Sequence, residues 1–173
     1  MVNVKEMLDW LMLHETKRTR KENIDMDKES PPLRPLALGS FKRIDAELGR
    51  ITGNFWKLVW NKESPAIDQK TKYLLSLANA VGALRFRQAT RELVKAYAIG
   101  LTVAEMDELF TLFAWNQGIG TFASEIASSP VFAAYQLIKT EEAKGKERQE
   151  IMKRLVENFG ENNPDVTTKP PSR

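Results

Sequence analysis

Apolar residues recur every three or four positions along almost the whole chain, and no stretch alternates β-branched with polar residues. That spacing predicts an all-α protein. Val4, Met7, Leu8, Leu11 and Met12 mark a first helix over about 3–20, with Asn3 able to cap its first turn. Residues 22–39 read as a connector, because Ser30-Pro31-Pro32 and Pro35 remove backbone donors and disfavour helix before each proline. Phe41, Ile44, Leu48, Ile51, Phe55 and Leu58 then repeat as 3-4-3-4-3, an a/d seam that predicts one helix from near Ser40. Trp56 and Trp60 widen its apolar face, and Gly49 and Gly53 permit close approach of another helix.

Ser64-Pro65 punctuates the chain. A helix over about 68–83 follows, with Leu74, Leu77, Ala78 and Val81 inward, then a turn near Gly82 and a helix over about 85–99. Gly100 is placed to end that helix as a C′ glycine, and Thr102-x-x-Glu105 forms a capping box for the next. That helix carries Met106, Leu109, Phe110, Phe113 and Ala114 until Gly118 and Gly120 break it. A short helix is expected at 121–128. Ser129-Pro130 opens another with Phe132, Tyr135 and Ile138 on one face, continuing through the charged stretch 141–159 with Ile151, Leu155 and Phe159 on a stripe. The expected organisation is an N-terminal helix and Pro-rich connector over 1–39, a helical domain over 40–159, and a disordered tail over 160–173.

Composition removes whole classes of chemistry. The chain has no Cys and one His, His14, so no disulfide framework, zinc-thiolate site, iron–sulfur cluster or thiol nucleophile can be built, nor a multi-histidine metal site within one chain. Asp25, Asp27 and Glu29 lack the glycine turn and closing glutamate of an EF-hand, and Gly118-x-Gly120 follows no strand that would make it a dinucleotide loop. We therefore expect no metal and no cofactor. The net charge is only +3, and the one dense basic run, Lys17, Arg18, Arg20 and Lys21, is flanked by Glu15 and Glu22. It reads as a solvated helix end rather than a nucleic-acid surface. No stretch is apolar enough to span a bilayer, and the opening residues do not form a signal-peptide pattern. A cytoplasmic protein without nucleic-acid or membrane partners is the expectation.

The stretch from Ile67 to Ala134, about two-fifths of the chain, resembles the carboxymuconolactone decarboxylase and alkylhydroperoxidase D-like superfamily. The resemblance lies in three passages: Asp68 to Ala78, where the family has an acidic residue and a KT-E-L-ALA helix start; Ala96 to Glu105; and the apolar, glycine-ended Phe110 to Gly120. It implies an all-α alkylhydroperoxidase D-like helical bundle, here with an N-terminal helical arm and a charged C-terminal helix, assembled as a homo-oligomer. The family's redox members use a glutamate, a Cys-x-x-Cys pair and a histidine four residues on. Registering from Lys72 puts the glutamate position at Tyr73; counting back from Gly100 puts the cysteines at Arg85 and Gln88 and the histidine at Glu92. The two anchors agree without a gap. Every member of the redox set is replaced, so peroxidase or disulfide-reductase chemistry by the family mechanism is excluded.

The decarboxylase branch does not need the thiols. For it, Arg85, Gln88 and Glu92, at i, i+3 and i+7, form a candidate ligand-binding face, on which Arg85 would grip a small anionic ligand. Tyr73 and Glu92 are then the candidate proton-transfer groups, if burial shifts them. The alternative is that Arg85 and Glu92 pair and form a structural polar cluster. Two function classes remain: a non-thiol member serving as an oligomeric binding or structural protein, and a cysteine-independent decarboxylase or lyase acting on a small carboxylated substrate. The aromatics Trp56, Trp60, Phe110, Phe113 and Trp115 suit a core or a subunit contact.

Overall fold

The computed structural model describes Leu33 and residues 38–160, all within one compact unit spanning Pro32–Arg173. The expected first helix, its basic run, His14, the acidic Asp25–Glu29 stretch and the tail beyond Gly160 lie outside the described residues. Helices are α1 (Leu38–Ile44), α2 (Ala46–Trp60), α3 (Gln69–Gly82), α4 (Phe86–Ala98), α5 (Val103–Gln117), α6 (Pro130–Ala143) and α7 (Arg148–Phe159). Between α5 and α6 a single helical turn, Ile119–Thr121, runs into a π-helical stretch, Phe122–Ile126. No strand occurs among the described residues, and no helix there is long and apolar enough to cross a membrane.

The helix boundaries follow local chemistry. Asp68 caps α3 by accepting from the Thr71 N–H at 2.9 Å. Thr102 and Glu105 make the reciprocal capping box of α5. Ser129 caps α6 with Pro130 at its first position. Gly100, at φ +106°, ends α4 as a Schellman motif: the Leu101 N–H donates to the Ala96 carbonyl at 2.9 Å and the Gly100 N–H to Tyr97 at 3.1 Å. The same motif ends α3, but with Leu84 in the left-handed position at φ +53°. There the Arg85 N–H donates to Ala80 at 2.8 Å and the Leu84 N–H to Val81 at 3.0 Å.

Two expected helices are each broken in two. The seam from Phe41 to Leu58 is interrupted at Asp45, whose backbone is extended and whose carboxylate accepts from the Leu48 N–H, so α2 starts afresh. Gly49 does admit a close helix, and that helix is α1: a methyl at Gly49 would lie 2.7 Å from Cα and Cβ of Lys42. The long C-terminal helix is likewise divided at Gly145, φ +74°, into α6 and α7.

Helix α4 is the centre of the core. It packs against α3, α6 and α7, and Ala89, Leu93, Val94, Ala96 and Tyr97 are fully buried. From α3 the buried side chains are Tyr73, Leu77, Ala80 and Val81; Ala78, expected inward, is exposed. Ile151 and Leu155 of α7 are fully buried, as their stripe predicts. Phe110, Phe113, Phe122, Phe132 and Tyr135 join α5, the π-helical stretch and α6 through edge and stacked ring contacts with centroids 4.4–5.8 Å apart. Arg148 fixes α7 to α4: its guanidinium lies 4.2 Å from the centroid of the Tyr97 ring and donates to the Tyr97 and Leu101 carbonyls.

Helices α3 and α5 run parallel. Their N-terminal ends are joined by Lys70 and Glu105, 2.6 Å apart, and their C-terminal ends meet where a methyl at Gly82 would lie 3.4 Å from Nε2 of Gln117.

Candidate functional site

Glu92 faces inward from the middle of α4 and is only 6% exposed. A carboxylate so placed needs a charge partner. Lys95, one turn on, supplies it, with Nζ 3.1 Å from both carboxylate oxygens. Both side chains are withdrawn from solvent, at 8% and 11% exposure. Two rings close over the ammonium. The Tyr73 ring of α3 lies 5.2 Å away and the Trp60 ring, at the end of α2, 5.4 Å away. These rings stack at 5.2 Å with 25° between their planes. The Lys72 ammonium holds the end of α2 in place by donating to the Val59 carbonyl at 2.8 Å. Three elements therefore converge on one cation and one anion.

Burial is the largest influence on Glu92 and pushes its carboxyl above the ordinary carboxylate range; Lys95, and more weakly Arg91, pull it back. The result is a carboxylate whose charge is neutralised within the chain.

The four sequence candidates are distributed unevenly. Tyr73 and Glu92 meet at this cluster through Lys95. Gln88, one turn before Glu92, points its amide towards Ser76 of α3 at 3.5 Å, the outer limit of a hydrogen bond. Arg85 lies outside the helix proper, at the N-cap of α4, where its side chain caps nothing and is exposed. It makes no ion pair with a described residue. The pairing weighed for Arg85 and Glu92 is thus replaced within the chain by Lys95 and Glu92. Among the described residues, Arg85, Gln88 and Glu92 share no hydrogen bond.

Lys95 and Trp60 are the members that sequence reasoning missed. A signal exists for Lys95: Glu92 and Lys95 are spaced i, i+3 on a helix whose neighbouring positions are apolar, the spacing at which opposite charges meet. Trp60 gave none beyond its place on an apolar face.

Among the described residues no group of His, Asp and Glu is arranged to hold a metal ion. No family model matches the chain, and neither does any curated protein or solved structure.

Proposed function

We propose that this chain is a non-thiol protein of the carboxymuconolactone decarboxylase-like kind, working as a homo-oligomeric binding or structural protein. The all-helical fold is compatible with that family. The observation that carries the reading is the Glu92–Lys95 pair beneath Tyr73 and Trp60. Two of the four positions registered to the redox set are absorbed into a cluster that satisfies its own charges. A buried pair of this kind organises a core and offers no spare charge to a substrate.

A second reading, a decarboxylase or lyase acting on a small carboxylated substrate, has one observation in its favour. Burial raises the pKa of Glu92 beside cationic side chains, the environment that a proton-transferring carboxyl would need. A thermal-shift screen of small mono- and dicarboxylic acids and lactones, on wild type and on Arg85→Ala, separates the two. A ligand at a hundred times its Kd adds about 2.7 kcal/mol, which lifts Tm by roughly 5–15 °C for a unit of this size. The structural reading expects no such shift with any acid. An acid that stabilises wild type and not Arg85→Ala overturns the purely structural role and places an anion site at Arg85; turnover of that acid, read as release of carbon dioxide, then distinguishes an enzyme from a binding protein.

A further inference from the structure

Among the described residues, two groups of large apolar side chains are exposed, one on a net basic segment and the other on a net acidic one. The first is on α2, where Ile51, Phe55 and Leu58 form a stripe with exposures of 51%, 66% and 67%. The second is at the end of α5, where Leu112 and Trp115 continue to Ile119 past the Gly118 break, with exposures of 50%, 85% and 83%. Large side chains grouped in this way on a surface mark an interaction site.

The charges around them differ. Helices α1 and α2 carry Lys42, Arg43, Arg50 and Lys57 against Asp45 and Glu47, net +2; Arg50 pairs with Glu47, the residue one turn before Ile51 on the stripe, so the excess rests on Lys42, Arg43 and Lys57 against Asp45. From Ala96 to Ile138 there is no Lys or Arg, whereas Glu105, Asp107, Glu108 and Glu125 make the segment net −4. Lys70 and Lys139 neutralise Glu105 and Asp107. Glu108 and Glu125 stay exposed and make no ion pair with a described residue. Glu108 lies one turn before Leu112 on the stripe that leads to Trp115, so the free acid borders the apolar patch.

The faces also occupy different ends of the bundle. Helix α2 meets it through Trp60 at the Tyr73 position of α3. Gln117, beside the Trp115 patch, meets the Gly82 end of α3. Nine residues of helix, about 13 Å at 1.5 Å per residue, separate these points.

From this we infer that the α2 face of one copy docks on the α5 face of the next, a head-to-tail contact between copies of this chain. The inference rests on the oligomeric reading above and names its interface. Pairing of α2 with α2, or of α5 with α5, would oppose like charges, whereas the heterologous contact sets basic against acidic rims around an apolar centre. Such a contact uses each face once per copy and closes into a ring when the rotation permits.

The test is sedimentation velocity on the full chain at tens of micromolar, with Phe55→Asp and Trp115→Asp, each alone and mixed one to one. Both side chains are exposed within one chain, so far-UV circular dichroism should match wild type, and melting should fall only by the stabilisation that the assembly contributes. Phe55→Ser and Trp115→Ser serve instead if either aspartate variant fails to fold. We expect an assembled wild type, monomeric single variants, and a two-chain species in the mixture, because each variant keeps the face its partner has lost. A mixture that stays monomeric overturns the head-to-tail contact. So does an assembly that survives Trp115→Asp, which points to α2 pairing with itself. A monomeric wild type removes the oligomeric reading itself. If Phe55→Asp then also melts earlier, residues of its own chain cover α2.

Discussion

Lys95→Met tests whether the Glu92–Lys95 cluster holds the fold together. It removes the ammonium but leaves a side chain of similar length against the Trp60 and Tyr73 rings. The carboxylate of Glu92 then remains at 6% exposure without its two 3.1 Å contacts. Breaking a buried ion pair from one side costs about 3–5 kcal/mol. Arg91 still offsets part of that charge, so the lower end, about 3 kcal/mol, is the expectation. For a unit of this size the corresponding fall in Tm is roughly 6–15 °C.

The loss should depend on pH with a definite sign. Burial already holds the Glu92 carboxyl above its ordinary value of 4.5, and removing Lys95 removes the main influence pulling it down. A carboxyl with a raised folded pKa binds more protons folded than unfolded, so its stability contribution falls as pH rises through the raised value. The deficit of Lys95→Met should therefore be small near pH 4 and fully developed once pH exceeds the raised pKa. Glu92→Leu combined with Lys95→Met leaves no buried charge and should return to within about 1 kcal/mol of wild type. Urea unfolding of wild type, Glu92→Leu, Lys95→Met and the double variant at pH 4, 5.5 and 7 reads out the cycle. A Lys95→Met variant as stable as wild type at pH 7, or a deficit that does not change with pH, would refute the reasoning.

Two further outcomes are expected. Leu84 occupies a left-handed position that costs an L-residue about 1 kcal/mol and is 46% exposed, so Leu84→Gly should raise stability by roughly 0.5–1 kcal/mol in urea unfolding. Lys70 and the Thr102 N–H hold the Glu105 carboxyl down at about 2, a stabilisation present above pH 4.5 and lost as pH falls towards 2. Because that pair is partly solvated, Glu105→Gln should cost less than about 1 kcal/mol at pH 7, with the gap narrowing by pH 3 in the same assay.

Much of the helical frame is legible in the sequence because its punctuation is chemical and local. Thr102 with Glu105, Ser129 with Pro130, and Gly100 each act within one helical turn, and each stands where it was expected. The stripe of Ile151 and Leu155 is legible for the same reason. The break at Asp45 was hidden because the apolar spacing runs through it unchanged, while the competing signal is one carboxylate capping the Leu48 N–H. Gly145 was similarly outweighed by the apolar spacing that resumes beyond it at Ile151, Leu155 and Phe159. The turn after α3 shows a different limit: the left-handed residue is Leu84 rather than Gly82, so composition marks the turn but misplaces its strained position.

The candidate site was half legible. Tyr73 and Glu92 belong to one cluster, but the group that joins them, Lys95, does so through rings from α2 and α3. That is a tertiary relation no spacing along α4 encodes. Trp115 shows the opposite case at the surface. At 100° per residue it lies about 180° from Met106, the buried face of α5 that also holds Phe110 and Phe113, so helical phase alone accounts for its 85% exposure.

The most direct test of a non-thiol protein acting as an assembly is the solution mass of the untagged full chain by sedimentation equilibrium over a wide concentration range. The account predicts a mass that is a whole multiple of 19.7 kDa and that falls towards one chain only on strong dilution. A single-chain mass at every concentration would contradict it.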